Sequence, residues 1–231
     1  MSNNAAPKKI YWVPLESSPE AMTKMIHRLG VDKAVAFSDV LGLDDELLAM
    51  TPQPVHALVF LFPVTDSFQA ARIREASSST PSPNVWYSKQ TIGNACGTMA
   101  ILHALANVQD RVSIGGDLKA YFDKTKDMAP LDRSLVLEQN EAVAQAHGAS
   151  AQEGQTAAPA ADAKVDLHYA AFVSVDGHIY ELDGGIPGPI DHGPSSDFLK
   201  DAAKIIQKRI SALGDTKQLL SVLALGPNPE I

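Results

Sequence analysis

The chain has 231 residues, 45% of them hydrophobic, a formal charge of −8 and a single cysteine. One cysteine excludes an internal disulfide and a cysteine-based zinc site, and fits a reducing compartment. The acidity argues against a nucleic-acid surface and suits a basic partner or plain solubility. The start, residues 1–9, lacks the apolar stretch of a signal peptide, and the longest apolar runs, 57–64 and 99–105, are too short for a bilayer. The expectation is one α/β (α+β) domain over 1–231, monomeric, cytoplasmic with nuclear residence open, and without membrane contact, metal or cofactor.

Residues 1–9 read as a loose arm and 11–16 as an extended, partly buried segment. Ser18-Pro19-Glu20 opens a helix, with Ser18 as N-cap and Pro19 at its first position. Ala21, Met22, Met25, Ile26 and Leu29 form its apolar face, and Gly30 ends it. A short strand over 35–40 follows, then a short helix from Asp44 to Met50, ended by Pro52 and Pro54. Residues 55–62 are apolar almost without alternation, the pattern of a central strand buried on both faces. A helix over 66–75, a Ser/Pro loop over 77–83 and a short strand Val85-Trp86-Tyr87 lead to Gln90.

The apolar run from Ala95 to Ala106 is long enough for a helix, and Asn94 suits its N-cap. Further helices are predicted over about 118–122 and 131–146. Residues 148–164 then lack any aromatic side chain and read as a mobile loop. A hairpin follows: a strand from His168 to Val175, an Asp176-Gly177 turn and a strand from His178 to Asp183. Pro187, Pro189 and Pro194 mark a loop, 197–213 an amphipathic helix and 219–225 a last strand.

Cys96 falls in the first turn of its helix, where the helix dipole favours a thiolate. Gly97 is expected to keep the space beside the sulfur open. Gln90, six residues upstream, offers an amide donor that can join the Cys96 backbone N–H against a developing oxyanion. In the hairpin, Val175 faces His178, so Asp183 faces Ala170. His168 and Asp183 are then diagonal neighbours on one face, and the carboxylate can hold one ring nitrogen while the other serves as base. The chain order Gln90, Cys96, His168, Asp183 is similar to that of papain-like proteases. His103 is expected to be a packing residue. His178 lies at the hairpin tip and His192 in a Pro-rich loop, so neither is the expected base.

The segments from Gln90 to Thr98 and from His168 to Gly184 resemble the two signatures of ubiquitin C-terminal hydrolases. Trp12-Val13-Pro14-Leu15-Glu16, Leu61-Phe62-Pro63-Val64-Thr65 and Glu153-Gly154-Gln155-Thr156 match as well. The likeness is to the short, single-domain members. It implies a papain-like fold, with a central antiparallel sheet flanked by helices, and thiol-dependent release of small or flexible adducts from the ubiquitin C-terminal glycine. It makes Cys96 the nucleophile, His168 the general base and acid, Asp183 its orienter and Gln90 the oxyanion stabiliser. Pro14, Leu15 and Glu16 would help hold the ubiquitin tail, and 148–164 would be the crossover loop that limits leaving-group size. Gly93, Gly185, Ile186 and Gly188 depart from the residues common in relatives. Two alternatives stay open: a preference for a related ubiquitin-like modifier, and a ubiquitin-binding protein with little turnover.

Overall fold

The computed structural model describes residues 9–154, 159–163, 165–214 and 219–231. The arm over 1–8, Gln155, Thr156 and Lys164 fall outside them.

Three helices begin as their capping residues dictate. Ser18 accepts from the Ala21 N–H at the head of α1 (Pro19–Arg28), Asp44 from Leu47 before α2 (Asp45–Leu48), and Thr65 from Phe68 before α3 (Asp66–Ser78). Gly30, at φ +97°, closes the α1 end in a conformation that glycine tolerates. Strand β1 (Val35–Asp39) and strand β2 (Ala57–Pro63) separate these helices.

Downstream come α4 (Cys96–Ala106), α5 (Gly116–Thr125), α6 (Pro130–Glu138) and α7 (Glu141–Ala151). The single helix expected over 131–146 is two, because Asn140 leaves the helical path and caps α7 through the Val143 N–H. The loop expected from Gly148 begins later, since α7 runs to Ala151 with Ser150 and Ala151 buried. α3 likewise extends past the expected boundary to Ser78.

The sheet is antiparallel throughout, in the order β1-β6-β2-β3-β4-β5, with β3 (Leu167–Val175), β4 (His178–Leu182), β5 (Ile190–Pro194) and β6 (Ser221–Pro227). β2 lies between β6 and β3. Its Ala57 and Val59 face one core with α1 and α4, while Leu58, Phe60 and Phe62 face a second core with α3 and α8 (Phe198–Ala212). Two buried faces explain its unalternating sequence. α4 is buried from Gly97 through Ala106, so it is the hub of the first core.

Two strand expectations are corrected. Val85-Trp86-Tyr87 joins no ladder: Asn107, at the end of α4, accepts from the Trp86 N–H and donates to the Trp86 carbonyl, both at 2.8 Å, taking a strand partner's place. The proline-rich loop after Asp183 contains β5, which pairs with β4 at the sheet edge, where proline is tolerated.

Candidate active site

Cys96 is the first residue of α4. Ala95 holds the N-cap position and gives no side-chain cap, so among the described residues the first backbone N–H groups of α4 have no capping side chain. Asn94 is not the cap expected from the sequence. Its φ of +57° swings its side chain away, and its amide donates to the carbonyls of Ala161 and Ala163 at 2.7 and 3.0 Å. Asn94 thereby ties the segment after α7 to the start of α4. Its absence from the cap leaves the helix N-terminus free to meet an anion.

His168 enters from β3, where it pairs with Phe62 of β2. The hairpin register is the expected one, with Val175 opposite His178 and Ala171 opposite Leu182. Asp176 and Gly177 take φ of +51° and +77°, the left-handed pair of a type I′ turn. Beyond the ladder, His168 Nε2 donates to Asp183 Oδ1 at 2.6 Å. Cys96 lies close enough for its sulfur to favour the charged imidazole. Burial opposes its charge, but the Asp183 carboxylate, with a smaller contribution from Cys96, outweighs burial and raises the His168 pKa to about 10. Asp183 is fully buried, yet its carboxyl is held well below the usual range, because His168, Arg72 and the Gly185 N–H together outweigh the cost of burial.

Gln90 reaches the same corner. Its backbone N–H donates to the Gly184 carbonyl at 2.9 Å, which locks the loop before α4 to the residue after Asp183. Its side-chain nitrogen donates to the Ile92 carbonyl at 3.0 Å, so one of its two N–H groups is spent on its own loop and the other remains. Gly184 permits this closeness, since a Cβ there would stand 2.8 Å from the Gln90 nitrogen.

A groove of about 380 Å³ runs past the thiol, lined by Pro14, Leu15, Glu16, Asn94, Cys96 and Tyr169 among others. The Tyr169 hydroxyl donates to the Leu15 carbonyl at 3.1 Å and fixes the extended segment along the groove. Gly97 does not hold open space beside the sulfur. A Cβ there would lie 3.2–3.3 Å from Leu15 and Tyr169, so the glycine lets those side chains close onto α4. Gly93 has a similar role, with the Tyr11 ring directly over it.

The remaining histidines lie elsewhere. His103 is fully buried, stacks on Tyr87 at 5.2 Å and shares contacts with the Ser88 backbone; burial lowers its pKa to about 4. His178 contacts Asp191, and His192 contacts Glu181. The sequence reading gave no role to Arg72, whose guanidinium lies 2.8 Å from the second Asp183 oxygen. Its spacing was informative: Phe68, Arg72 and Ala76 recur every fourth residue and form the buried stripe of α3.

A family model described as "Ubiquitin carboxyl-terminal hydrolase, family 1" matches residues 12–211. Human ubiquitin carboxyl-terminal hydrolase isozyme L1 is 46% identical over 202 residues, covering 84% of this chain and 89% of the relative. A ubiquitin carboxyl-terminal hydrolase of Aplysia californica is 46% identical over 201 residues, covering 85% and 94%. In structure, the chain resembles the Trichinella spiralis UCH37 catalytic domain bound to ubiquitin vinyl methyl ester, with a TM-score of 0.79, 27% identity and coverage of 94% and 95%. The helix-borne thiol, the imidazole–carboxylate pair and these likenesses converge: the chain belongs to the ubiquitin carboxyl-terminal hydrolase family, a family of cysteine peptidases.

Proposed function

We propose that this chain is a single catalytic domain that hydrolyses amide, ester or thioester bonds at the C-terminal glycine of ubiquitin, with Cys96 as nucleophile. The observation that carries this reading is His168, bound to Asp183 at 2.6 Å and electrostatically coupled to Cys96, the first residue of a helix whose N-cap is Ala95. The His168 imidazolium holds the proton drawn from Cys96, and the sulfur attacks the glycine carbonyl, forming a C–S bond. Negative charge moves to the carbonyl oxygen, where the Cys96 backbone N–H and the remaining Gln90 amide N–H stabilise it. Collapse of the intermediate breaks the bond to the leaving group, and the His168 imidazolium supplies that group's proton. Water then attacks the thioester, with His168 accepting its proton. The C–S bond breaks, and ubiquitin leaves with a free carboxyl group. Asp183 keeps the imidazole oriented throughout and stabilises its charged form.

The substrate tail takes the groove bordered by Pro14, Leu15 and Glu16. The net charge of −8 suits a tail that carries arginines. The segment anchored by Asn94 borders the same groove through Pro159 and limits the bulk of the leaving group.

The test is hydrolysis of ubiquitin bearing a fluorescent C-terminal amide, by the intact protein and by Cys96→Ala. Rapid release abolished in the variant supports the assignment. No release from either protein, with ubiquitin still bound tightly by both, overturns it in favour of a binding protein. Paired kinetics on ubiquitin-like modifiers then define which tail is preferred.

A further inference from the structure

The Asp183 carboxylate has two sides. Oδ1 receives His168 at 2.6 Å and the Gly185 N–H at 2.7 Å. Oδ2 faces Arg72, whose Nη1 stands 2.8 Å away as an ion pair without good hydrogen-bond alignment. Arg72 has no exposed surface. Its guanidinium sits over the Phe62 ring at 4.8 Å and the Phe68 ring at 5.7 Å, and Nη1 also donates to Gln69 at 3.1 Å. Its Nε donates to Glu181 Oε1 at 2.7 Å. The second Glu181 oxygen receives Arg209 of α8 at 2.7 Å and contacts His192 of β5 at 3.0 Å, and Arg209 reaches Glu75 of α3. A buried row of charges thus runs from the surface of α8 to the imidazole beside Cys96.

We propose that Arg72 is a positioning residue for the catalytic pair: its rigid fork spans Glu181 and Asp183, and so fixes the Asp183 carboxylate in the orientation that presents Oδ1 to His168. Several features favour this over a role in stability alone. A buried ion pair contributes little net stability, because desolvation offsets its attraction, and its best-supported use is to specify an arrangement. Glu181 is already matched by Arg209 and His192, so the Arg72 fork is not needed to neutralise it. Among the described residues, in contrast, Arg72 is the one arginine that contacts Asp183, and the other groups on its carboxylate are His168 and the Gly185 N–H. Planar, two-pronged recognition is what an arginine supplies and a lysine does not. The groups facing this pair are Glu181 from β4, His192 from β5, Arg209 from α8 and Glu75 from α3. Lys89 also lies near enough to feel the Asp183 charge, and the Tyr87 hydroxyl donates to the Asp183 carbonyl at 3.0 Å.

This inference rests on Cys96, His168 and Asp183 being the catalytic set. The experiment compares the wild type, Arg72→Gln, Arg72→Lys and Asp183→Asn in two ways. Steady-state hydrolysis of the ubiquitin fluorescent amide separates kcat from KM, and proton NMR follows the downfield His168 N–H that the 2.6 Å bond to Asp183 produces. Arg72→Gln is expected to lower kcat about tenfold, a part of what a positioned acid–base group supplies, with KM within about twofold and the downfield signal displaced or lost. Arg72→Lys keeps the charge but cannot span both carboxylates, so it restores kcat only in part. It also serves as the reporter if Arg72→Gln does not fold: reduced kcat with a displaced signal supports the proposal. A folded Arg72→Gln or Arg72→Lys with unchanged kcat and an unchanged signal overturns it. If Asp183→Asn turns over as fast as the wild type, the catalytic set itself is wrong and the role of Arg72 falls with it.

Discussion

Replacing Asn94 by Gly separates the two things that this residue does. Its backbone is left-handed at φ +57°, which glycine adopts without strain, and its side chain donates two hydrogen bonds, to the Ala161 and Ala163 carbonyls. Asn94→Gly therefore removes the bonds and leaves the turn into α4 intact. Each bond contributes about 1 kcal/mol net, so the pair holds the segment down by about 2 kcal/mol. That is about 30-fold in the balance between its docked and released forms. Hydrogen exchange of residues 160–163 reads this directly, and amide exchange there is expected to accelerate by that order. Because the segment borders the groove, the variant is also expected to release bulkier adducts from ubiquitin faster, relative to the small fluorescent amide. Asn94→Ala serves as the contrast: it loses the same bonds and adds a left-handed penalty of about 1–2 kcal/mol, so it melts lower than Asn94→Gly. Unchanged exchange over 160–163 in Asn94→Gly would refute the anchoring role.

The pH dependence of stability follows from three groups of residues. Burial lowers His103 and His147 to about 4, so the unfolded chain takes up protons before the fold does, and stability is lost as pH falls from about 6.5 to about 4. The slope approaches about 1.4 kcal/mol per pH unit for each histidine, and thermal melts across that range are expected to show it. Asp183 and Glu181 are both depressed, so their contribution persists above the ordinary carboxylate pKa and disappears only in stronger acid. His168 is raised, so its contribution is complete below its unfolded value and is lost as pH rises through about 10. Gly184→Ala is expected to cost about 1–3 kcal/mol in denaturant melts and to reduce turnover, because its Cβ would lie 2.8 Å from the Gln90 backbone nitrogen, which has no room to yield. Gly185→Ala, whose nearest contact would be 3.2 Å from Asp183 Oδ1, is expected to cost less; equal effects at the two glycines would contradict this reading of the loop.

Much of the site was legible because its parts are local patterns. A two-residue Asp176-Gly177 turn sets the pairing of every residue in its hairpin, and side-chain alternation then puts His168 and Asp183 on one face. The apolar run from Ala95 is a helix with the sulfur in its first turn, and the run without alternation read at 55–62 is a strand, Ala57–Pro63, buried on both sides. The interior placement of His103 was also readable from its position within α4. These inferences need only the periods of helix and strand and the chemistry of a turn.

Tertiary structure decided what depends on partners distant in the chain. Asn94 has the chemistry of an N-cap, but carbonyls 67 and 69 residues away compete for its amide and win. Gly97 looked like a gap beside the thiol, until Leu15 and Tyr169 were brought against it. Val85-Trp86-Tyr87 has strand composition, yet Asn107 satisfies Trp86 before any strand can. Arg72 sits within an ordinary helical segment, and only the folding of α3 onto β4 places it between Glu181, 109 residues away, and Asp183. Backbone periods and turn geometry act over a few residues and are written in the sequence. Competition for a hydrogen bond or a buried charge is settled by whichever partner the packed fold delivers, and only the assembled structure names it.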